Sequence, residues 1–93
     1  MEQKQEIEIL KAIADETRLS IVRKLASSEE PVTSCDIVTS CQQLDNLSQP
    51  AASHHFSKLV NAGVISERKQ GTQKVYQLRR DTLKSIGVDA SKL

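Results

Sequence analysis

Aromatic side chains are nearly absent, with one Phe, one Tyr and no Trp among 93 residues. Tyr76 therefore reads as packing within a small sheet rather than as a platform on which bases stack. The sequence has only three Gly, and none forms a phosphate-cradling loop. Paired carboxylates and a Ser/His/Asp arrangement are missing as well, so an enzyme is not expected. Ser53, His54 and His55 are consecutive, and on a helix they point in different directions. No apolar run approaches the roughly 20 residues of a membrane span, and the polar, acidic start from Met1 to Glu6 is unlike a secretory signal. A cytoplasmic location follows as the expectation. Repeats, low-complexity stretches and linkers are also absent, so residues 1–93 read as a single domain.

The net charge of +1 is small, but it is unevenly spread. Residues 1–47 carry nine acids against five bases, whereas residues 48–93 carry eight bases against three acids. If the second half forms one face, that face attracts phosphates while the acidic half points away. The bland alternative is a solvated surface with no partner.

Apolar residues Ile7, Ile9, Leu10, Ile13 and Ala14 recur at helical spacing and predict a first helix over 5–14. Asp15 reads as the N-cap of a second helix carrying Leu19, Ile21, Val22, Leu25 and Ala26 and ending near Ser27 or Ser28. After Pro31, Thr33 with Asp36 three residues on resembles a capping box for a short third helix, followed by a turn at Asp45 and Asn46. Ser48 caps a fourth helix, with Pro50 early in it and Gly63 as its stop. Strand-like runs over 64–68 and 74–78 flank a loop at 69–73 and predict a β-hairpin with Gly71 near its tip. Asp81 is expected to cap a last helix ending at Gly87, and residues 88–93 to fray. The predicted class is mainly α with a small hairpin, in the order α-α-α-α-β-β-α.

A short helix, a turn, a second helix opened by Ser48-Gln49-Pro50 and then a basic hairpin is the plan of a winged helix-turn-helix. A reading helix enters the major groove by its N-terminal end, where Gln49, Ser53 and His54 can reach base edges and Gln can pair bidentately with adenine. These three are expected on the side opposite Ala52, Phe56 and Leu59. Lys58, four residues after His54, suits phosphate, as do Arg68, Lys69 and Lys74 around the hairpin tip. Double-stranded DNA is thus the expected partner.

The stretches Ala14-Asp15-Glu16-Thr17-Arg18-Leu19-Ser20-Ile21-Val22, Leu47-Ser48-Gln49-Pro50-Ala51-Ala52-Ser53-His54-His55-Phe56, Asn61-Ala62-Gly63-Val64-Ile65 and Val75-Tyr76-Gln77-Leu78 together resemble the ArsR family of bacterial repressors over residues 7–78. The resemblance implies a homodimer paired through its terminal helices, an operator with two-fold symmetry, and release of DNA when an inducer binds. It also implies a place for His55 near the DNA backbone. Thr17 and Arg18 read as bracing for the start of the second helix. Metal-sensing members commonly carry a Cys-x-Cys pair at the start of the third helix, or acids and histidines on the last one. Here Thr33-Ser34-Cys35-Asp36 offers one thiol, and the two His lie in the fourth helix, so neither a metal site nor any other cofactor is expected. About four extra residues precede Ser48 relative to the family pattern.

Cys35 and Cys41 are six residues apart, about 120° around a regular helix, too far for a disulfide if the helix continues through both. A thiol-responsive repressor stays open, with inert thiols as the commoner outcome in a cytosolic protein. Two other readings stay open: a winged helix that binds only proteins, and a DNA-binding domain without its own sensor. The last helix is short, so pairing is expected to rest mainly on Ile7, Leu10 and Ile13 of the first helix, a stripe that could equally be core.

Overall fold

The structure is a computed structural model describing residues 3–41, 44 and 47–93. Helix α1 (Gln3–Ile13) turns Ile9 and Ala12 inward, and Ile13 packs partly buried against the same core. Asp15 caps α2 (Glu16–Ala26) as expected, its carboxylate accepting the Arg18 N–H at 3.0 Å. Ile21, Val22 and Leu25 bury α2 along its apolar stripe, which places this helix at the centre of the molecule.

Val32–Thr33 form a two-residue strand, β1, that the sequence does not announce because it is too short to show a period. Thr33 then caps α3 (Ser34–Ser40), its hydroxyl oxygen accepting the Asp36 N–H at 3.1 Å. Cys41 closes α3. The turn expected at Asp45 and Asn46 lies outside the described residues, while Leu44 between them and α3 is fully buried.

Ser48 caps α4 (Gln49–Asn61) by accepting the Ala51 N–H at 3.3 Å, and Pro50 occupies the first turn, where its missing N–H leaves no bond unmade. The helix stops in a Schellman motif. Gly63, at φ +79, donates to Val60, and the Val64 N–H donates to the Leu59 carbonyl at 3.0 Å. Leu59 and Val64, the apolar pair that accompanies this motif, are both fully buried. The stop thus fixes where the chain leaves α4 for the hairpin.

The hairpin consists of β2 (Ile65–Gln70) and β3 (Gln73–Leu78), with β1 added on the far side in the antiparallel order β1-β3-β2. Both strands run longer than the sequence suggests, leaving a connection of only Gly71 and Thr72. Gly71 has φ +65 at the first of these positions, the sign a type II′ hairpin needs there. Polar Lys69, Gln70 and Gln73 gave no apolar alternation, yet they pair because the tight turn holds the strands in register.

Helix α5 (Arg80–Ser85) begins two residues earlier than expected, so Asp81 is not its cap. The carboxylate sits inside the first turn, where it complements the helix dipole, and the cap position falls to Arg79 without a side-chain bond. The segment after Gly87 does not fray. Asp89 caps a 3-10 turn (Ala90–Lys92) by accepting the Ser91 N–H at 3.0 Å, and Ala90 is buried in the core with Val88 and Leu93 packed beside it. The architecture is a winged helix-turn-helix, with α3 and α4 as the helix pair and β2–β3 as the wing.

Candidate nucleic-acid interface

Helix α4 and the wing face each other across an open cleft of about 600 Å³. Gln49, Ser53 and Ser57 line it from α4, and Glu67, Thr72, Gln73, Lys74 and Tyr76 line it from the wing. Helical spacing puts Gln49, Ser53 and Ser57 on one edge of α4, while His54 stands exposed further round, away from the core. The expected polar face exists, but it leans towards the wing rather than standing opposite Ala52, Phe56 and Leu59. Ser57 escaped the sequence reading, although its spacing of four from Ser53 was the available signal.

The angle of the wing to α4 is set by an aromatic contact. Phe56 of α4 and Tyr76 of β3 are both buried and stack nearly parallel, with centroids 4.5 Å apart and planes at 10°. Burial pushes the Tyr76 hydroxyl well above its ordinary pKa, and its hydrogen bond to Glu67 adds to this. The hydroxyl therefore stays a donor, and Tyr76 belongs to the wing core as the sequence suggested.

The strand register sorts the wing cations. Glu67 lies opposite Tyr76 and Lys69 opposite Lys74, all on the face that meets α4. Arg68 lies opposite Val75 on the other face, so the three expected basic residues do not form one cluster. Lys74 Nζ is 3.6 Å from Glu67 Oε1, whereas Lys69 confronts Lys74 as a like charge directly across the strands. Such pairs destabilise a hairpin.

Other cations of the basic half lie elsewhere. Arg80 donates to the Ala26 carbonyl at 2.8 Å, tying α5 to the end of α2, and with Lys84 lines a separate cleft of about 450 Å³ beside Gly87–Ala90. The charge of residues 48–93 is thus not gathered on one face.

His55 is not on the outward side of α4. Its side chain is 19% exposed and turned to the corner between α1 and α2, where Nδ1 lies 3.2 Å from Arg18 Nη1 and 3.9 Å from Asp15 Oδ2. Burial lowers its pKa below the ordinary histidine value; Asp15 opposes this, and Arg18, His54 and Lys58 reinforce it. The Arg18 backbone N–H that Asp15 accepts holds the Asp15 carboxyl below the usual carboxylate range. Lys58 is exposed and lines a cleft of about 290 Å³ with Glu8, Lys11, Arg18 and Asn61. Ser48 is engaged as the α4 cap, and Pro50 is exposed in the first turn.

Cys35 is exposed at the rim of the α4–wing cleft, and Cys41 is buried with its Sγ donating to the Ser20 carbonyl at 3.8 Å. Among the described residues, no three His, Cys, Asp or Glu side chains gather into a group that could hold a metal ion. On α1, Ile7 and Leu10 are 45% and 47% exposed, and Ile13 faces the core.

Comparison with known proteins agrees with this architecture. The chain is 37% identical over 81 residues to an uncharacterized HTH-type transcriptional regulator of Methanocaldococcus jannaschii, covering 85% of this chain and 83% of that protein. It is 36% identical over 78 residues to the arsenical resistance operon repressor of Staphylococcus xylosus, covering 84% and 69%. The fold matches the solution structure of a homodimeric winged helix-turn-helix DNA-binding domain from Mycobacterium bovis with a TM-score of 0.72 at 24% identity, over 89% of this chain and 72% of that one. Residues 15–67 match the bacterial regulatory proteins of the arsR family, and the chain belongs to that family.

Proposed function

We propose that this protein is a cytoplasmic, homodimeric transcriptional repressor, not an enzyme, whose single domain reads a two-fold symmetric operator in duplex DNA. The observation that carries this reading is the pairing of an exposed, polar α4 N-terminus with a lysine-tipped wing across one cleft. Gln49, Ser53 and His54 are the base-reading candidates, because they lie at the end of α4 that enters a major groove. Lys58, Lys69 and Lys74 meet phosphates, and Arg68 reaches the flanking backbone from the far face of the wing. The Lys69–Lys74 pair supports this assignment: a like-charge pair costs the free hairpin energy, and a bound phosphate relieves it. Dimerisation through the exposed Ile7 and Leu10 places two reading helices on one face of the duplex. That the Mycobacterium bovis domain of the same fold is homodimeric supports pairing as such.

The test is selection of bound duplexes from a random library at near-physiological salt, repeated with a Gln49→Ala, His54→Ala double variant. An inverted repeat with half-sites about one helical turn apart, lost in the variant, is expected. Weak binding that vanishes with salt and enriches no sequence would leave only phosphate attraction and favour a protein-binding winged helix.

A further inference from the structure

The carbonyls of the last turn of a helix have no partner within it. At the end of α1, two of them are taken by one side chain from α2: Arg18 Nε donates to the Ala12 carbonyl at 2.6 Å and Nη2 to the Lys11 carbonyl at 3.4 Å. A guanidinium there also complements the negative end of the α1 dipole. The remaining arm of the fork, Nη1, reaches His55 Nδ1 of α4 at 3.2 Å. One side chain therefore joins the end of the helix bearing Ile7 and Leu10 to the side of the reading helix.

We propose that Arg18 is a positioning residue for DNA reading, holding α4 at a fixed angle to α1 through His55 without itself touching a base. The inference rests on the proposed reading of DNA by α4. In a dimer paired through α1, that angle sets where the two copies of α4 stand relative to each other, and hence the spacing of half-sites they fit together.

The link has a protonation requirement. A guanidinium only donates, so Nδ1 must accept, and the ring proton sits on Nε2. Protonation of His55 turns Nδ1 into a donor facing a donor. The charged groups acting on the ring are Asp15 and Arg18 from the start of α2 and His54 and Lys58 from α4, while Glu8 and Lys11 of α1 line the neighbouring cleft that Arg18 and Lys58 share. Of these, Asp15 is the acid in reach, its Oδ2 3.9 Å from Nδ1, so a protonated Nδ1 has a carboxylate to donate to in place of Arg18. Acidification therefore weakens the link. A histidine that merely met phosphate would give the opposite sign, since added positive charge tightens DNA binding.

The experiment measures affinity by fluorescence anisotropy for a duplex enriched in the selection, at about pH 7.5 and about pH 5.5, on either side of the ordinary histidine pKa. Wild type is compared with His55→Gln and Arg18→Lys, with circular dichroism confirming the fold. Both wild type and His55→Gln carry His54, so their difference isolates His55. Wild type is expected to lose affinity relative to His55→Gln on acidification, by up to about tenfold per subunit, the most that a histidine titrating at or below its ordinary value gives one pH unit lower. Arg18→Lys, lacking the fork, is expected to bind about tenfold more weakly than wild type at the higher pH. Should Arg18→Lys fail to fold, the pH difference still decides. Identical pH dependence of wild type and His55→Gln, or wild type gaining affinity relative to it on acidification, overturns the link alone. Failure of any duplex to be enriched overturns the reading by α4 and the link with it.

Discussion

Replacing Lys69 by Gln should strengthen the fold and weaken its hold on DNA, a pairing of signs that general damage cannot produce. Lys69 stands directly across from Lys74 near the tip of the wing, while the Lys74 ammonium has Glu67 3.6 Å away. Removing Lys69 leaves that ion pair in place and abolishes the like-charge opposition. The gain is about 0.3 kcal/mol, or roughly 2 °C in melting temperature for a domain of this size. On DNA, each lost phosphate contact makes the slope of log affinity against log salt shallower by about 0.9, so a dimer should change by about 1.8. At about 0.15 M salt that corresponds to roughly fivefold in affinity per contact. Anisotropy titrations over a salt series, beside thermal melts, give both quantities from one preparation. An unchanged slope with unchanged affinity would refute the placing of the wing tip on phosphate. A lowered melting temperature would instead show that the lysine stem packs and that the repulsion argument is wrong.

Three further outcomes follow from the same geometry. Folding favours neutral His55, whose pKa lies below that of the unfolded chain, so stability is greatest above about pH 6.5 and falls as pH drops towards the folded value. His55→Gln should flatten the melting temperature over that window, and an equally steep decline would remove the assignment; Asp15, also lowered, loses its contribution only below the ordinary Asp range. In the native protein, iodoacetamide should label exposed Cys35 and spare buried Cys41 until the chain is unfolded, as peptide mass spectrometry can read. Equal labelling would contradict the packing around Ser20. Ile7→Glu with Leu10→Glu should yield a monomer by light scattering that keeps its helical circular dichroism, since both side chains are about half exposed in a single chain; a persistent dimer would place the pairing surface elsewhere.

What the sequence made legible is governed by local rules. Asp15, Thr33 and Ser48 cap three helices because each is a short oxygen-bearing side chain just before an apolar period, and Gly63 stops α4 because the next turn needs a positive φ. Asp81 was misplaced by the same rule, since an Asp inside a first turn is nearly as favourable as one at the cap and nothing local separates the two. The 3-10 turn at Ala90 was missed because its support is long-range, an alanine buried on a core assembled from the rest of the chain. The candidate interface divides in the same way. Gln49, Ser53 and His54 follow from their position at the start of a helix, but that Lys69 and Lys74 oppose each other while Arg68 faces away is a matter of register, which depends on the exact turn.

Arg18 is the clearest case of a role hidden from the sequence. The sequence reads it as a brace for the start of α2, but what it gives Asp15 there is a backbone N–H that any residue would supply. Its guanidinium, however, spends its donors on α1 and on a residue 37 positions away in α4. Bracing and positioning are then one act: the side chain that satisfies the free carbonyls of α1 is held rigid by doing so, and only a rigid fork can fix the angle of a second helix. The same geometry explains why His55, expected near the DNA backbone, turns inward. A neutral imidazole is the acceptor that the last arm of the fork requires, and burial favours the neutral form.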